Sequence, residues 1–489
     1  MPVALDKTGS IDRFFKLSER GSTVGREIRG GVVTFFTMAY IVVLNPLIIG
    51  TVKDGTGHYL GGGDAPDLAM VAACTALVAG VMSIAMGVFA NYPLAIAAGL
   101  GLNAFVAYSI AALPGESWKE AMGLVVLEGI VMLILVLSGF RVAAFKALPP
   151  PMKTAISVGI GLFIAFVAFV DSGFVRPGEG TPVQLGVGGL LRGWPTVVFV
   201  LGLITVIVLY VRRVKGAILI AIIGATVLAV IIQAVAHVGS QTDATGKVVN
   251  PEGWGLNVPT VPSSIAATPD FSLVGRVDPF GSFHTIGVIA AILIVFSLVL
   301  ADFFDTMGTM VAIGGEAGLL DEEGTPEGAQ KILVVDSIAA AAGGAGGVSS
   351  NTGFIESAAG VGEGARTGLA SIVTGVLFLL TTFLAPLVEV VPYEAATPAL
   401  AFVGFLMMQQ VRGIDWNDLD IAIPAFLTIV LMPFSYSITV GIGAGCIAFV
   451  AIKIGRGRIR QVPSLMWLIA GLFVLYFAID PIKQIFGVS

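Results

Sequence analysis

Long hydrophobic runs occupy almost the whole chain and alternate with short polar stretches. Most runs are close to 20 residues long, and a helix of that length crosses about 30 Å of hydrocarbon. The pattern predicts fourteen membrane-spanning segments, seven before and seven after a polar loop. The predicted spans are 29–51, 66–89, 93–112, 118–139, 151–171, 194–211, 216–238, 284–312, 331–345, 347–362, 367–390, 395–411, 419–435 and 437–453.

The same pattern divides the chain into five parts. They are an N-terminal segment at 1–28, a first seven-span repeat at 29–238, an extracytoplasmic loop at 239–283, a second seven-span repeat at 284–453 and a tail at 454–489. The tail contains one more hydrophobic stretch, 464–479, which fits either a short fifteenth span or a helix lying in the membrane interface. The predicted fold class is an all-α polytopic membrane protein.

Composition supports this fold class and excludes several functions. Of 489 residues, 56% are hydrophobic and 12% are charged, whereas a soluble domain carries about 25% charged residues. Cys74 and Cys446 lie in apolar runs, so we expect no structural disulfide. With three His residues and no His-Glu-x-x-His motif, we expect no metal, no cofactor, no enzymatic activity and no nucleic-acid partner.

Positive charge lies in alternate loops. The N-terminal segment holds Arg13, Lys16, Arg20 and Arg26, and further Lys and Arg residues lie at 212–215 and 412. Since Lys and Arg concentrate in cytoplasmic loops, the sequence predicts a cytoplasmic N-terminus in a multi-pass protein of the cell membrane.

Spans three and ten differ from simple helices. The first begins within Asn-Tyr-Pro at 91–93 and contains Gly-Leu-Gly at 99–101, and the second directly follows a Gly-rich run from 343 to 347. Short, Gly- or Pro-interrupted segments at matching positions in two halves point to a binding site between inverted repeats. We expect an extended stretch followed by a half-helix in each, with both half-helix N-termini directed at a ligand.

Span eight carries carboxylates where a membrane helix normally has none. Asp302, Asp305, Thr306 and Thr309 fall on one helix face. A charge at the bilayer centre costs at least about 2.5–3.5 kcal/mol, so it normally faces a cavity, a partner or a ligand. Alternatively, this stripe binds a neighbouring helix through hydrogen bonds. That alternative is weaker for Asp305, because no intramembrane Lys or Arg is available to neutralise it.

Span ten ends in a second polar group, centred on Glu356. The residues before it are Ser349, Ser350, Asn351 and Thr352. The preceding glycines allow another chain or a ligand to approach the backbone closely. The alternative is a glycine-driven helix crossing that buries a protonated Glu356. Asn103, at the matching place in span three, is either a ligand contact or a helix-packing hydrogen bond.

Several of these motifs resemble one family. Gly-Leu-Gly-Leu-Asn-Ala-Phe (99–105), Phe-Asp-Thr-Met-Gly-Thr (304–309), Ile-Glu-Ser-Ala-Ala-Gly (355–360) and Arg-Thr-Gly (366–368) resemble the AzgA-like purine permeases, a branch of the nucleobase–ascorbate transporter superfamily. The resemblance covers essentially residues 12–455, and its motifs match in order. Residues 351–354 and 364–366 vary the family pattern without altering the carboxylates.

The resemblance implies a fold, a function and a set of site residues. The fold has two inverted seven-helix repeats, with spans 1–4 and 8–11 as a core domain and spans 5–7 and 12–14 as a gate domain. The function is proton-coupled uptake of hypoxanthine, adenine and guanine by an elevator-type mechanism, and a homodimer is one expected assembly. By motif position, Glu356 and Asp305 correspond to the substrate-binding carboxylates and Asn103 to a substrate-proximal residue.

The chemistry of a purine suits these residues. Ionised carboxylates only accept hydrogen bonds, so Glu356 and Asp305 fit its N–H groups, while Asn103 serves its ring-nitrogen acceptors. Phe304 and Phe354 flank the carboxylates and either stack on the ring or belong to the packing. The further substrate-binding candidate is Thr352.

Proton coupling is assigned to Asp305 first and Asp302 second, with Glu356 as a third candidate. The sequence leaves open whether Na⁺ replaces H⁺. It also leaves rival functions: an anion transporter or channel of the same fold, a uracil or xanthine transporter, and a non-transporting membrane protein. Two intramembrane carboxylates would repel an anion and would serve no purpose in a purely structural protein.

Overall fold

A computed structural model of the chain describes residues 10–138, 149–178, 180–243, 247–262, 264–322 and 325–486. Residues 1–9 of the predicted N-terminal segment and 487–489 of the predicted tail lie outside this part. The helices of the first half are α1 (Ser10–Phe15), α2 (Val24–Met38), α3 (Ile41–Ile49), α4 (Leu68–Ala85), α5 (Leu100–Ala104), α6 (Trp118–Leu137), α7 (Pro150–Asp171), α8 (Trp194–Val211) and α9 (Ala217–Ala236). The π-helical turns Met86–Ala90 and Phe105–Ala111 extend α4 and α5.

The second half continues in the same way. Its helices are α10 (Gly281–Thr285), α11 (Val288–Ala317), α12 (Ala329–Ala345), α13 (Ser357–Gly362), α14 (Gly368–Thr381), α15 (Tyr393–Met408), α16 (Leu419–Ser435), α17 (Ile438–Gly455) and α18 (Ser464–Phe486), with 3₁₀ turns at Thr382–Val390, Gln409–Gly413 and Ile459–Gln461. The described part of the chain also has four short strands, three in the first half and one in the second: β1 (Ile96–Ala98), β2 (Val175–Arg176), β3 (Gln184–Leu185) and β4 (Asn351–Gly353).

Within the described ranges, nine helical stretches are long and apolar enough to cross a membrane. Three shorter apolar helices accompany them, at Leu100–Ala111, Leu419–Ser435 and Ser464–Ala478. The chain is therefore a mostly helical, multi-pass membrane protein. The count of fourteen spans and the symmetry between the halves stay predictions.

The helices pack as two sets. In the first set, α14 packs against α2 and α4, and α6 packs against α11 and α12. In the second set, α15 packs against α7, α8 and α9, while α16 packs against α7 and α17. Helix α11 also contacts α7, α17 and α18. It therefore lies at the boundary between the two sets.

Glycines produce the closest helix contact of the first set, where α4 crosses α14. A Cβ atom on Gly80 would lie 2.9 Å from the carbonyl oxygen of Gly375, and one on Gly368 would lie 2.1 Å from that of Gly87. Because both separations are shorter than a van der Waals contact, the two helices touch backbone to backbone. Small residues have this role between membrane helices, where apolar burial gives little driving force.

Strands β1 and β4 join the two halves of the chain as an antiparallel pair. The paired residues are Ile96 with Gly353, Ala97 with Thr352, and Ala98 with Asn351. Ser83 of α4 satisfies the other side of β1, since its hydroxyl donates to the Ile96 carbonyl at 3.0 Å and accepts from the Ile96 amide at 2.9 Å. The extended stretches predicted for spans three and ten are thus confirmed. Their backbone groups bond to protein, as non-helical chain at membrane depth requires.

The predicted hydrophobic stretch of the tail is a helix. The α18 residue Phe473 is fully buried, and its ring would lie 2.5 Å from a Cβ atom on Gly443 of α17. Helix α18 is therefore anchored on the second helix set.

A polar cluster joins the start of α6 to α10. Ser117 caps α6 in a capping box with Glu120. The preceding Glu116 is fully buried and accepts a hydrogen bond from the Ser282 hydroxyl of α10. Burial raises the pKa of Glu116 to about 7, an effect that the Ser282 hydrogen bond opposes and the charge of Glu120 reinforces. The junction is therefore most stable when Glu116 holds a proton.

Replacing Glu116 by Gln should remove a pH dependence of stability. The unfolded chain loses this proton near the ordinary glutamate pKa of 4.5 and the folded chain only near 7, so wild-type protein loses stability as pH rises through that window. As pH rises from 4.5 to about 7, the free energy of unfolding of Glu116→Gln should therefore increase relative to that of wild type by on the order of 3 kcal/mol. Thermal unfolding of both proteins in detergent, from about pH 4 to about pH 8, measures the difference. A difference that stays constant with pH would contradict the expectation.

Candidate functional site

The β1–β4 pair places two half-helices beside the long helix α11. Helix α5 begins directly after β1, and α13 begins four residues after β4. Helix α11 packs against β4, α5 and α13. Asn103 of α5 and Glu356 before α13 therefore lie on elements that each contact the helix of Asp305.

Glu356 stands at the N-cap of α13, where the chain turns from β4 into the half-helix. Its side chain is half-buried and accepts a hydrogen bond from the Tyr40 hydroxyl. Its carbonyl oxygen accepts from the Thr37 hydroxyl at 3.4 Å. The first span thus holds Glu356 through both its side chain and its backbone.

Asp305 lies in the middle of α11, yet its side chain is exposed. Because a charge at the centre of a 30-residue apolar helix is costly in contact with lipid, we expect this exposed carboxylate to face a cavity, a partner or a ligand. Asp305 is also close enough to Glu356 for their charges to interact. The two carboxylates therefore share one polar region.

Asn103 is completely buried, and neither atom of its side-chain amide has a hydrogen-bond partner. A buried amide without partners costs about 1–3 kcal/mol for each unsatisfied group. The helix-packing alternative for Asn103 predicts such partners, whereas a ligand contact leaves them free until the ligand binds.

The remaining predicted residues do not share this environment. Thr352 is buried and directed at Thr306, with 2.6 Å between the hydroxyl oxygens. Phe354 is buried in the hydrophobic core, and the side chain of Phe304 lies outside the described part of the chain. Asp302 is completely buried, in contrast to Asp305 one turn later on the same helix.

Asp302 belongs to a second group of carboxylates that the two polar stretches did not predict. Glu128 of α6 and Asp336 of α12 surround it, and all three are fully buried. The Ser350 hydroxyl lies 3.2 Å from Glu128 and 3.4 Å from Asp302, and the Thr306 hydroxyl donates to Asp336 at 2.8 Å. Hydroxyl groups before and within β4 therefore reach this cluster directly or through Thr306.

Simple sequence signals could have found the missed residues. Glu128 interrupts Leu-Val-Val-Leu-Glu-Gly-Ile-Val-Met, and Asp336 follows Ile-Leu-Val-Val. Each is a lone carboxylate in an apolar run. Because a charge inside the membrane is costly, such a residue is a candidate functional residue. Tyr40 gave no comparable signal, because a tyrosine carries no charge and its apolar ring fits an apolar run.

Cations do not balance these carboxylates in the part of the chain that the structure describes. None of its ion pairs involves Asp302, Asp305 or Glu356, and no group of His, Cys, Asp and Glu there has the arrangement of a metal site. Instead, the Tyr40 hydroxyl contacts Glu356 and the Ser350 hydroxyl contacts Asp302. The arrangement suits an uncharged ligand that donates hydrogen bonds.

Gly343 of α12 packs directly against the turn before β4, which leaves no room for a side chain at this position. A Cβ atom there would lie 2.0 Å from the Ser349 carbonyl oxygen and 2.3 Å from Nδ2 of Asn351. Ser349 itself adopts a φ of 67°, a left-handed conformation that is costly for a residue other than glycine. Direct packing on α12 therefore fixes the position of β4.

Gly343→Ala should displace this turn and destabilise the protein by about 1–3 kcal/mol, the usual cost of overpacking. Gly224→Ala is the matched control, because Gly224 lies in α9 and a Cβ atom there would meet nothing within 4 Å. Thermal unfolding in detergent should show a lower midpoint for Gly343→Ala only. Equal unfolding midpoints for the two variants would contradict this expectation, because the turn would then accommodate the added methyl group without loss of stability.

Comparison with known proteins gives matches over nearly the whole chain. Residues 25–444 match the xanthine/uracil permease model of the Permease family. The chain is 36% identical over 468 residues to the adenine permease AdeP of Escherichia coli K12, covering 96% of each protein. It is 35% identical over 466 residues to the guanine/hypoxanthine permease PbuG of Bacillus subtilis, covering 95% of this chain and 98% of the relative.

A solved structure shares the fold. The transmembrane domain of the cyanobacterial bicarbonate transporter BicA superposes with a TM-score of 0.57 at 15% identity, covering 86% of this chain and 97% of that domain. Identity this low concerns the fold alone.

Proposed function

Since the chain belongs to the Permease family, within its xanthine/uracil permease group, we propose that it carries purine nucleobases into the cell together with protons. Hypoxanthine, adenine and guanine are the proposed substrates. The names of relatives at 35–36% identity support this choice, because they include an adenine permease and a guanine/hypoxanthine permease. The protein is accordingly a transporter and not an enzyme.

One observation carries the proposal: an unpartnered amide and two carboxylates without a cation lie on adjoining elements at membrane depth. Asn103 offers a donor and an acceptor, while Asp305 and Glu356 offer acceptors. A neutral purine presents N–H donors and ring-nitrogen acceptors along its edges, which is the complementary set. A ligand that lacked one of these groups would leave a buried polar atom unpaired, so discrimination follows from the same contacts.

The proximity of Asp305 and Glu356 supports proton coupling. Two ionised carboxylates repel each other strongly where water is scarce and no cation lies between them. One bound proton removes that repulsion and provides an additional donor for the purine. We assign the transported proton first to Asp305 and second to Asp302, with Glu356 as a third candidate.

The two helix sets support an elevator-type movement. Asp305 lies on α11, and the half-helices α5 and α13 both contact α11, with α13 also packing against α2 of the first set. We assign these elements to the core domain of spans 1–4 and 8–11. The second set corresponds to the gate domain of spans 5–7 and 12–14. Between them, Lys215 on the loop after α8 pairs with Glu363, which follows α13. Rigid movement of the core past the gate would break this pair and expose the site to the other side of the membrane.

An anion is the second candidate substrate, because the fold neighbour BicA is a bicarbonate transporter. The carboxylates argue against it. An anion at the half-helix N-termini would meet Glu356 at the start of α13 and Asp305 beside it, without a described cation to offset their charge. Uracil or xanthine would fit the same hydrogen-bonding groups, so a competition assay must separate them from hypoxanthine, adenine and guanine.

The proposed setting is the plasma membrane, with a cytoplasmic N-terminus and fourteen spans in two inverted sevens. A homodimer is the proposed assembly. Contacts between the N-terminal segment and several loops support placing these loops on the same side of the membrane as the N-terminus. Arg20 donates to the carbonyl oxygens of Asn91 at 2.6 Å and Arg366 at 3.2 Å, and pairs with Glu327 at 3.0 Å.

Replacing each carboxylate by the amide of the same size should remove its negative charge with little change in side-chain shape. Glu356→Gln and Asp305→Asn should each lower hypoxanthine uptake by at least about tenfold, since a hydrogen bond to a charged group contributes about 1.5–3 kcal/mol. Uptake of labelled hypoxanthine in cells without purine transporters measures this at equal membrane expression. Glu252→Gln, on an exposed loop, is the control. Normal uptake by both site variants would overturn the site assignment, and displacement of the label by sulfate instead of adenine would favour the anion function.

Proton coupling has a separate test. A protonophore should reduce hypoxanthine accumulation to equilibration with the medium, because the proton gradient supplies the driving force. Replacing Na⁺ by K⁺ should leave the initial rate unchanged. Accumulation that resists the protonophore and fails without Na⁺ would replace the proton by a sodium ion.

A further inference from the structure

We infer that Glu128, Asp302 and Asp336 form a proton-binding centre behind the substrate site, separate from Asp305 and Glu356. This inference rests on the proposed proton-coupled transport and gives the coupled proton a second position. Glu128 and Asp336 lie on α6 and α12, which carry none of the substrate candidates.

Tight packing closes this centre to water. Helices α6 and α12 cross at glycines: a Cβ atom on Gly129 would lie 2.3 Å from the Ala341 amide nitrogen, and one on Gly344 would lie 2.8 Å from the Met122 carbonyl oxygen. Gly129 directly follows Glu128, so this crossing brings Glu128 against the helix that carries Asp336. Each of the three carboxyl side chains has 0% exposure.

The contacts within the centre require a bound proton. The carboxyl groups of Glu128 and Asp302 are neighbours, since the same Ser350 hydroxyl lies 3.2 Å from the first and 3.4 Å from the second. Two ionised carboxylates both accept, so these neighbours form a hydrogen bond only when one of them is protonated. In addition, Oε2 of Glu128, Oδ1 of Asp302 and Oδ2 of Asp336 are buried without any partner. These oxygens are free positions to which a proton can move within the centre.

The neighbouring elements supply acidic groups and hydroxyls to the centre. Asp302 faces Glu128 from α11 and Asp336 faces it from α12, while Asp305 acts on Asp302 from one turn along α11. Two other elements also pack against α6. They are α10, which carries His284, and the π-helical turn Phe105–Ala111, which carries Tyr108, whose hydroxyl is directed at Asp171.

Strand β4 connects the centre to the substrate site. The single hydroxyl proton of Ser350 is shared between Glu128 and Asp302, so it bonds fully to only one of them. Thr306 donates to Asp336, contacts the hydroxyl of Thr352 and accepts from the Gly353 amide at 3.4 Å. A carboxylate that gains a proton becomes a donor, and these hydroxyls must then rearrange.

The rearrangement would act directly on the substrate site. Glu356 follows β4 by three residues, and β1, the partner strand, leads into the half-helix of Asn103. A change in hydrogen bonding at Ser350 or Thr352 would therefore be transmitted through the short stretch of backbone that pairs with β1. We call Glu128 a positioning residue, because it would act on the substrate through β4.

Infrared spectroscopy tests the centre without any substrate. Purified protein in lipid vesicles should show a carbonyl stretch of protonated carboxyl groups that declines as pH rises, and Glu128→Gln should lose part of that titrating band. Adding Na⁺ at constant pH should leave the band unchanged. A Glu128→Gln spectrum identical to that of wild type would overturn the inference, as would a Glu128 band that never titrates or that Na⁺ removes.

Transport in the same vesicles tests the coupling. Glu128→Gln should lower accumulation driven by a pH gradient by at least about tenfold while hypoxanthine counterflow stays within about twofold of wild type. Glu128→Asp should restore part of the accumulation, and the KM of Glu128→Gln should lose its pH dependence. A merely structural Glu128 would lower counterflow and accumulation together, which would overturn the coupling role. If wild-type protein fails to transport hypoxanthine, the proposed function fails, whereas the infrared result still decides whether the proton centre exists.

Discussion

The pairing of β1 with β4 is the constraint on which the rest of this structure depends. An extended backbone inside a membrane has no water to bond with, and each unsatisfied group costs several kcal/mol. On one side of β1, the Ser83 hydroxyl bonds to both the amide and the carbonyl group of Ile96. On the other side, β1 pairs with β4. With these bonds made, two half-helices can begin in the interior of the protein.

The same pairing separates two kinds of carboxylate. Side chains alternate along a strand, so Ser350 and Thr352 lie on one face, towards Asp302 and its neighbours, while Asn351 lies on the other. Helix α11 completes the separation. Asp302 is buried among other carboxylates, whereas the side chain of Asp305 is exposed and interacts with the charge of Glu356. Residues three positions apart thus meet different environments because they face different partners.

Sequence patterns predicted most helices to within a few residues, as at 194–211 and Leu419–Ser435, since apolar length is a strong signal. They also predicted both extended stretches, because Gly and Pro interrupt the helical pattern there. They did not predict that Thr352 turns away from Asp305, which depends on strand register. Nor did they bring Glu128 and Asp336 to Asp302, because three helices distant in sequence assemble that cluster.

Strand pairing between opposite halves of the chain also sets an order on biogenesis. The ribosome delivers β1 to the bilayer long before it delivers β4, so the amide and carbonyl groups of Ala97 wait without their native partners. Contacts between distant parts of a chain form slowly and late. The candidate functional site would thus be among the last parts to mature. A chain truncated before residue 351 would leave an open strand in the membrane, which quality-control proteases could recognise.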